Sequence, residues 1–145
     1  MTEIRKMTPA DVQGVHLLEE ESFPDPWSEK SITESLEQSF SLCLAAEEED
    51  ILVGYLIFYR NLDEGEILRI AVKSDHRREG IGAQLIAGMR KYCEQKGIHR
   101  VMLDVRAGNT KAGKFYKKQG FVRDGMRKHF YANPDDDAVL MSRRY

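Results

Sequence analysis

The chain has 145 residues, of which 32% are charged, and a formal net charge of −2 at pH 7. This length is enough for one folded domain over residues 1–145 whose core needs no disulfide bond or metal ion. A net charge so close to zero disfavours direct nucleic-acid binding, which requires an excess of basic residues on one surface.

The first part of the chain predicts a strand and two short helices. The strand covers residues 3–7, and Thr8 is expected to cap a helix that extends to about Glu21, because a proline and an acidic residue occupy its first turn. The two prolines of FPDPW, residues 23–27, end that helix and form an exposed, stiff loop. A second helix is expected over residues 28–39.

The middle of the chain predicts three strands and a long helix. Apolar runs at 40–48 and 51–60 form an antiparallel hairpin around an acidic turn, and a third strand covers 66–72. A helix follows, because apolar residues recur at helical spacing until Gly97. The next strand, at 99–107, is expected to run parallel to the third one, since a helix connects them.

The last part predicts a helix at 110–119 and two closing strands at 121–131 and 137–145. Strands and helices in this order describe an α+β, or mixed α/β, fold in which helices cover a sheet. A ligand would lie at the carboxyl end of the third strand, where open sheets usually place their sites.

The segment RREGIG, residues 77–82, lies between the third strand and the long helix. Arginines and glycines at a helix start present free backbone N–H groups, and the helix dipole favours negative charge there. The segment lacks the phosphate loop GxxxxGK[ST] and the third glycine of the dinucleotide fingerprint. It therefore predicts an anion site and gives no support to nucleotide hydrolysis or hydride transfer.

Several motifs resemble those of the GNAT acetyltransferase superfamily. The segment from Arg77 matches its [QR]-x-x-G-x-[GA] pyrophosphate loop, Asn109 follows a strand, and FYKKQGF spans 115–121. FPDPWSE at 23–29 and LDVRAGN at 103–109 further resemble the ribosomal-protein alanine N-acetyltransferases, which modify a protein α-amino group. The resemblance implies the GNAT fold, a mostly antiparallel sheet of about six to seven strands with helices on both faces and one parallel pair around the coenzyme site.

The resemblance also implies acetyl-CoA as the co-substrate. The helix start would wrap the pyrophosphate with backbone N–H groups, and a strand edge would pair with the extended pantetheine amides. One strand N–H group would polarise the thioester carbonyl. The residues assigned to acetyl-CoA are Ile70, Ala71, Val72, Arg77, Arg78, Glu79, Gly80, Ile81, Gly82, Ala83, Asn109 and Tyr116.

Direct transfer to an amine needs a base for the ammonium group and an acid for the departing thiolate. Tyr116 resembles the family's acid, and a phenol with a pKa of about 10 stays protonated at neutral pH. The base is open. Asp104 stands where the family usually has glutamate, and a misplacement of about 1 Å can cost about a hundredfold in rate. Glu66 resembles the base of the lysine-modifying histone acetyltransferases.

The acceptor groove is expected between Phe23 and Trp27 on one side and Phe130 and Tyr131 on the other, beside the acidic turn 135–137. We expect acetylation of a protein N-terminus, first of all that of a ribosomal protein. At pH 7 an α-amine is about a tenth neutral, whereas a lysine is neutral in about one molecule in 2,500. The alternatives are a GNAT enzyme for lysine, a polyamine or another small amine, and a non-catalytic acyl-CoA-binding sensor.

Other features limit the cofactors, partners and location. Cys43 and Cys93 are expected to be reduced core residues without a histidine partner, which disfavours covalent catalysis. The four histidines lack metal-ligand spacing, so no metal is expected. The longest apolar run, at 51–59, is too short to cross a bilayer, and the first residues lack a signal-peptide pattern. We expect a cytoplasmic protein, a monomer or weak dimer, that does not bind membranes.

Overall fold

A computed structural model describes residues 2–77 and 79–145, and each predicted helix and strand is present in it. In chain order the elements are β1 (Glu3–Lys6), a 3₁₀ turn (Pro9–Asp11), α1 (Val12–Ser22), α2 (Glu29–Glu37), β2 (Ser41–Glu48), β3 (Ile51–Asn61), β4 (Glu64–Val72), a second 3₁₀ turn (Ser74–His76), α3 (Ile81–Lys96), β5 (Arg100–Arg106), α4 (Thr110–Lys118), β6 (Val122–Tyr131) and β7 (Asp136–Arg144). None of the helices in these two ranges is long and apolar enough to cross a membrane.

The seven strands of the described residues form one sheet in the order β1-β2-β3-β4-β5-β7-β6. Neighbouring strands are antiparallel except for β4 and β5, which run parallel. The expected mixed α/β fold, mostly antiparallel with one parallel pair, is confirmed.

Helices cover both faces of the sheet, and each face has its own hydrophobic cluster. Successive side chains of a strand point to opposite faces. Along β3, Leu56 and Phe58 therefore join a cluster with Leu85 of α3, whereas Tyr55 and Ile57 join a second cluster. That second cluster also contains Val15 and Leu18 of α1 and Ile32 of α2.

Two element starts differ from the sequence prediction. The first helix begins with a 3₁₀ turn, in which the Asp11 carboxylate accepts from the Thr8 N–H at 2.8 Å and from the Arg5 guanidinium at 2.8 Å. β4 begins at Glu64, because β3 continues to Asn61 and the chain then reverses through Leu62, whose φ is 57°. Neither the hydrogen bonds of Asp11 nor the pairing of Glu64 with Asn61 can be read from the local pattern of apolar residues.

The parallel pair β4–β5 is short, and the two strands separate where it ends. The partners are Glu64 with Arg100, Gly65 with Val101, and Glu66 with Met102. Beyond Glu66, β4 continues to pair with β3 and β5 continues to pair with β7, so the two strands separate. A β-bulge at Leu68 lies at the start of this separation. Among the described residues, the later part of β4 therefore has no strand on the side of β5.

Candidate active site

The separation of β4 and β5 opens a cleft of about 270 Å³. Its walls are the loop between α1 and α2, the two strands, the start of α4 and the end of β6. Nine predicted site residues line it, namely Phe23, Trp27, Glu66, Ile70, Asp104, Asn109, Tyr116, Phe130 and Tyr131. The cleft thus brings together the predicted catalytic and acceptor-binding residues.

Glu66 and Asp104 lie on the same face of neighbouring strands. Glu66 is opposite Met102 in the register, and Asp104 follows Met102 by two residues, which returns its side chain to that face. Partial burial raises the pKa of both carboxyl groups, and the charge of Asp104 raises that of Glu66 further. The positive charge of Arg127 lowers both pKa values, but to a smaller extent. The site therefore holds two carboxyl groups that are more basic than usual.

Tyr116 approaches the cleft from α4. Its side chain is 7% exposed and packs edge-on against Phe115 and Phe121, with ring centroids 5.3 and 5.8 Å away. Burial raises the pKa of its phenol well above the usual value of 10.0, and Tyr131 adds to the shift. The phenol therefore stays protonated to a higher pH than a solvent-exposed tyrosine does.

Asn109 caps α4, because its side-chain oxygen accepts a hydrogen bond from the Ala112 N–H at 3.2 Å. A carboxamide has an acceptor end and a donor end. With the oxygen committed to the helix, the NH₂ group is the end that can donate to a ligand in the cleft.

The open edge of β4 presents backbone groups of alternate residues. The Lys73 N–H donates to the Val53 oxygen of β3 at 2.8 Å. Because backbone groups alternate sides along an antiparallel strand, those of Ala71 also face β3, whereas those of Ile70 and Val72 face the cleft side. The Val72 carbonyl already accepts from Arg77 Nε at 3.1 Å.

The predicted anion loop ends in a helix start, as expected. Gly80 has φ 81°, a left-handed conformation that favours glycine, and α3 begins at the next residue. The first N–H groups of any helix have no partner within it, so those of Ile81, Gly82 and Ala83 are available to an anion. Arg78 lies outside the described residues.

Gly82 also has a packing role that the sequence did not reveal. A Cβ atom at this position would lie 3.0 Å from the ring of Phe115. The missing side chain therefore lets α4 approach the start of α3.

A buried carboxylate positions the loop between α1 and α2. Glu19 is 0% exposed, and it accepts from Arg69 Nη2 and from the Trp27 N–H, both at 2.8 Å, and from the Tyr55 hydroxyl. The Arg69 guanidinium also lies over the Phe23 ring, 4.0 Å from its centroid. Sequence reasoning missed this network, although a charged residue inside the apolar run LRIAV was a signal.

A second arginine holds the opposite wall. Arg106 donates to the Pro134 carbonyl at 2.8 Å and lies over the Tyr131 ring, 4.3 Å from its centroid. The Asp25 carboxylate lies 4.0 Å from Arg106 and 3.7 Å from Arg69. Asp25 of the α1–α2 loop thus reaches the β6–β7 loop through Arg106, and sequence reasoning missed this link too.

Glu48, His76 and Glu79 come together although the sequence separates them. Within residues 2–77 and 79–145 they form the one group of three whose possible metal-ligand atoms lie within 4.8 Å of one another. His76 Nδ1 contacts Asp75 Oδ1 at 2.8 Å and its Nε2 lies 3.6 Å from Glu48. The hydrogen bond to Asp75 raises the pKa of His76. These contacts describe an ion-pair network at the surface.

Comparison with known proteins identifies a matching family and several similar proteins. Residues 12–121 match the acetyltransferase (GNAT) family. The chain is 32% identical over 139 residues to the Bacillus subtilis protein named "Putative ribosomal protein bS18-alanine N-acetyltransferase", covering 95% of this chain and 92% of the relative. The crystal structure of the ribosomal-protein-S18-alanine N-acetyltransferase from Escherichia coli matches with a TM-score of 0.90 at 26% identity, covering 99% of this chain and 94% of that one. Ard1 from Thermoplasma volcanium matches with a TM-score of 0.92 at 26% identity, covering 99% and 97%.

Proposed function

The chain belongs to the GNAT acetyltransferase family, and from this premise we propose that it transfers the acetyl group of acetyl-CoA to the N-terminal α-amino group of a protein. The names of the relatives support a ribosomal protein of the bS18 type as the acceptor. Such an acceptor would place the reaction in the cytoplasm. One sheet contains strands from both ends of the chain, which supports a single catalytic domain over residues 1–145.

One observation carries the proposal: the open edge of β4 lies in the same cleft as a basic carboxylate and a protonated phenol. Acetyl-CoA supplies the thioester. Its pantetheine arm is an extended amide chain, which fits the backbone groups of Ile70 and the Val72 N–H as an added strand. Its pyrophosphate fits the N–H groups at the start of α3, with Arg77 adding positive charge.

Asp104 is the proposed base and Tyr116 the proposed acid. Partial burial raises the pKa of Asp104, which makes its carboxylate a better acceptor for the proton of the ammonium group. The neutral amine then attacks the thioester carbonyl directly, and Tyr116 gives its proton to the departing sulfur.

A covalent route through cysteine has little support in this structure. Cys43 and Cys93 are both buried, and burial raises the pKa of the Cys93 thiol to about 11. A cysteine nucleophile needs a lowered pKa, because the thiolate is the reactive form. Transfer within a ternary complex is therefore the proposed route.

Acetylation of lysine is the second candidate, because Glu66 shares the cleft with Asp104. Either carboxylate can take a proton from an incoming ammonium group. The two candidates differ in the acceptor and in which carboxylate is essential.

The test measures CoA release with three kinds of acceptor: peptides with free N-termini, matched peptides with a blocked N-terminus and one lysine, and small amines. We expect turnover only with free N-termini. Asp104→Asn should lower kcat by about a hundredfold or more, since general base catalysis contributes about 10²–10⁴-fold. Asp50→Asn, which changes an exposed carboxyl in the β2–β3 turn, is the matched control.

Two results would contradict the proposal. Turnover of the lysine peptide that is lost in Glu66→Gln would identify a lysine acetyltransferase. Tight binding of acetyl-CoA without turnover of any acceptor would identify an acyl-CoA sensor.

A further inference from the structure

A groove beside α2 has no role in the chemistry described above. It is lined by Trp27, Ser31, Glu34, Gln38, Phe40 and Tyr59. Trp27 lines the cleft as well, so the groove adjoins the proposed acceptor site.

The strand register links the groove to the catalytic carboxylates. Glu66 of β4 is opposite Tyr59 of β3, and Tyr59 is opposite Ser41 of β2. On the other side, Glu66 is opposite Met102, two residues before Asp104. These paired residues form a row across β5, β4, β3 and β2. The row ends beside Phe40, which directly precedes β2.

The groove has an apolar floor and a polar rim. Phe40 is 38% exposed, and its ring meets the Tyr59 ring edge-on at 5.0 Å between centroids. The Tyr59 hydroxyl lies 2.6 Å from Ser35 Oγ, which fixes this ring in place. Glu34 and Gln38 form part of the rim. A surface of this kind suits an apolar side chain on a peptide whose backbone stays partly solvated.

We propose that this groove binds the segment of the acceptor protein that follows the reactive α-amine, as an extended chain with an apolar fifth or sixth residue. This inference rests on the proposed function. From β5 to β2 there are three strand spacings of about 4.8 Å, or about 14 Å in all, and an extended chain advances about 3.3 Å per residue. That distance takes about four to five residue steps from residue one, so an amine held at Asp104 brings the fifth or sixth residue of the acceptor to Phe40.

The test compares a tripeptide and an octapeptide of common sequence, the longer one with leucine at positions five and six. We expect a kcat/KM about tenfold higher for the octapeptide, through a lower KM, because an apolar side chain becomes partly buried. Phe40→Ala should abolish this gain, and Phe40→Leu should retain part of it. Leu62→Ala, which changes an apolar side chain that is 86% exposed in the β3–β4 turn, should keep all of it. An octapeptide with serine at positions five and six should lose the gain in the unchanged protein.

Equal kcat/KM for both peptides in the unchanged protein would overturn the inference. So would a loss in Phe40→Ala that is equal for the tripeptide and the octapeptide, since it would show a general structural effect. In both cases turnover of the tripeptide would still support the proposed function. Absence of turnover with every peptide would overturn the proposed function and this inference together.

Discussion

Glu66, Asp104 and Tyr116 all line the cleft and have raised pKa values, and the consequence differs between the two carboxyl groups and the phenol. Partial burial makes Asp104 and Glu66 stronger bases, whereas burial of Tyr116 keeps its phenol protonated. Sequence motifs identified all three residues as candidates. Their environments could not be read from the sequence, because burial in the cleft depends on residues from β4, β5 and α4 meeting in space.

The pH dependence of kcat follows from these shifts. In the proposed mechanism Asp104 must lose its proton before it can accept one from the ammonium group, so kcat should fall on the acid side at a pH above the ordinary aspartate value of 3.8. Tyr116 must keep its proton, and its raised pKa places the loss of the acid above pH 10.0. A profile of kcat at saturating acceptor should therefore show an acid limb and no alkaline loss from Tyr116 below that pH.

Two variants test whether Asp104 or another group causes the acid limb of this profile. Asp104→Glu, which has the length usual in the family, should retain an acid limb, whereas Asp104→Asn should lose it along with most activity. An unchanged acid limb in Asp104→Asn would show that another group, such as Glu66, sets the profile.

At the scale of elements, two loops border the cleft and arginines hold each of them. Arg69 anchors the α1–α2 loop through Glu19, and Arg106 anchors the β6–β7 loop through the Pro134 carbonyl. Asp25 lies between the two arginines. This arrangement makes the width of the cleft depend on contacts between segments that are far apart in the chain.

Removing the negative charge of Asp25 should weaken binding of the acceptor more than it slows the chemical step. We expect Asp25→Asn to raise KM for a peptide acceptor by about threefold to fivefold, a modest effect because exposed ion pairs contribute up to about 1 kcal/mol. KM for acetyl-CoA and kcat should change by less than about twofold, since Asp25 does not contact the open edge of β4. Steady-state kinetics with both substrates would measure this.

A double-mutant cycle tests whether the effect comes from the contact between Asp25 and Arg106. Asp25→Asn should have a smaller effect in Arg106→Gln than in the unchanged protein, because the second change already removes the Asp25–Arg106 contact and leaves only the contact of Asp25 with Arg69. Arg100→Gln is a control, since Arg100 pairs with Glu64 at 3.4 Å and does not line the cleft. Fully additive effects of Asp25→Asn and Arg106→Gln would contradict this role of the contact.

At the scale of the whole molecule, the buried Glu19 carboxylate connects α1, β3, β4 and the α1–α2 loop. Its partners are the Tyr55 hydroxyl, the Arg69 guanidinium and the Trp27 N–H. Removing one member of a buried ion pair leaves the other charged and poorly solvated. The stability of the sheet and the position of the α1–α2 loop are therefore linked through one side chain.

Glu19→Gln should lower the free energy of unfolding by about 3 kcal/mol, because Arg69 would lose its buried counter-charge. Urea unfolding followed by circular dichroism would measure the change. Glu20→Gln is a matched control, since the neighbouring Glu20 side chain is 56% exposed, and surface changes usually stay within about 0.5 kcal/mol. Equal stabilities of Glu19→Gln and the unchanged protein would contradict this role of the network.

The sequence by itself determined the order and type of the elements and the motifs that mark the site. Local chemistry explains why: Gly80 and Gly97 bound α3, Ser28 caps α2, and alternating apolar residues produce strands. The RREGIG segment had to be a helix start for the same reason. Family motifs named Asp104 and Tyr116 without any knowledge of their surroundings.

Only the tertiary structure decided that β4 and β5 separate after Glu66, that Asp25 lies between Arg69 and Arg106, and that a groove beside α2 adjoins the cleft. These features depend on pairing and packing between segments far apart in the chain. Local spacing governs which way a side chain points along its own element, but long-range packing decides which side chain it meets.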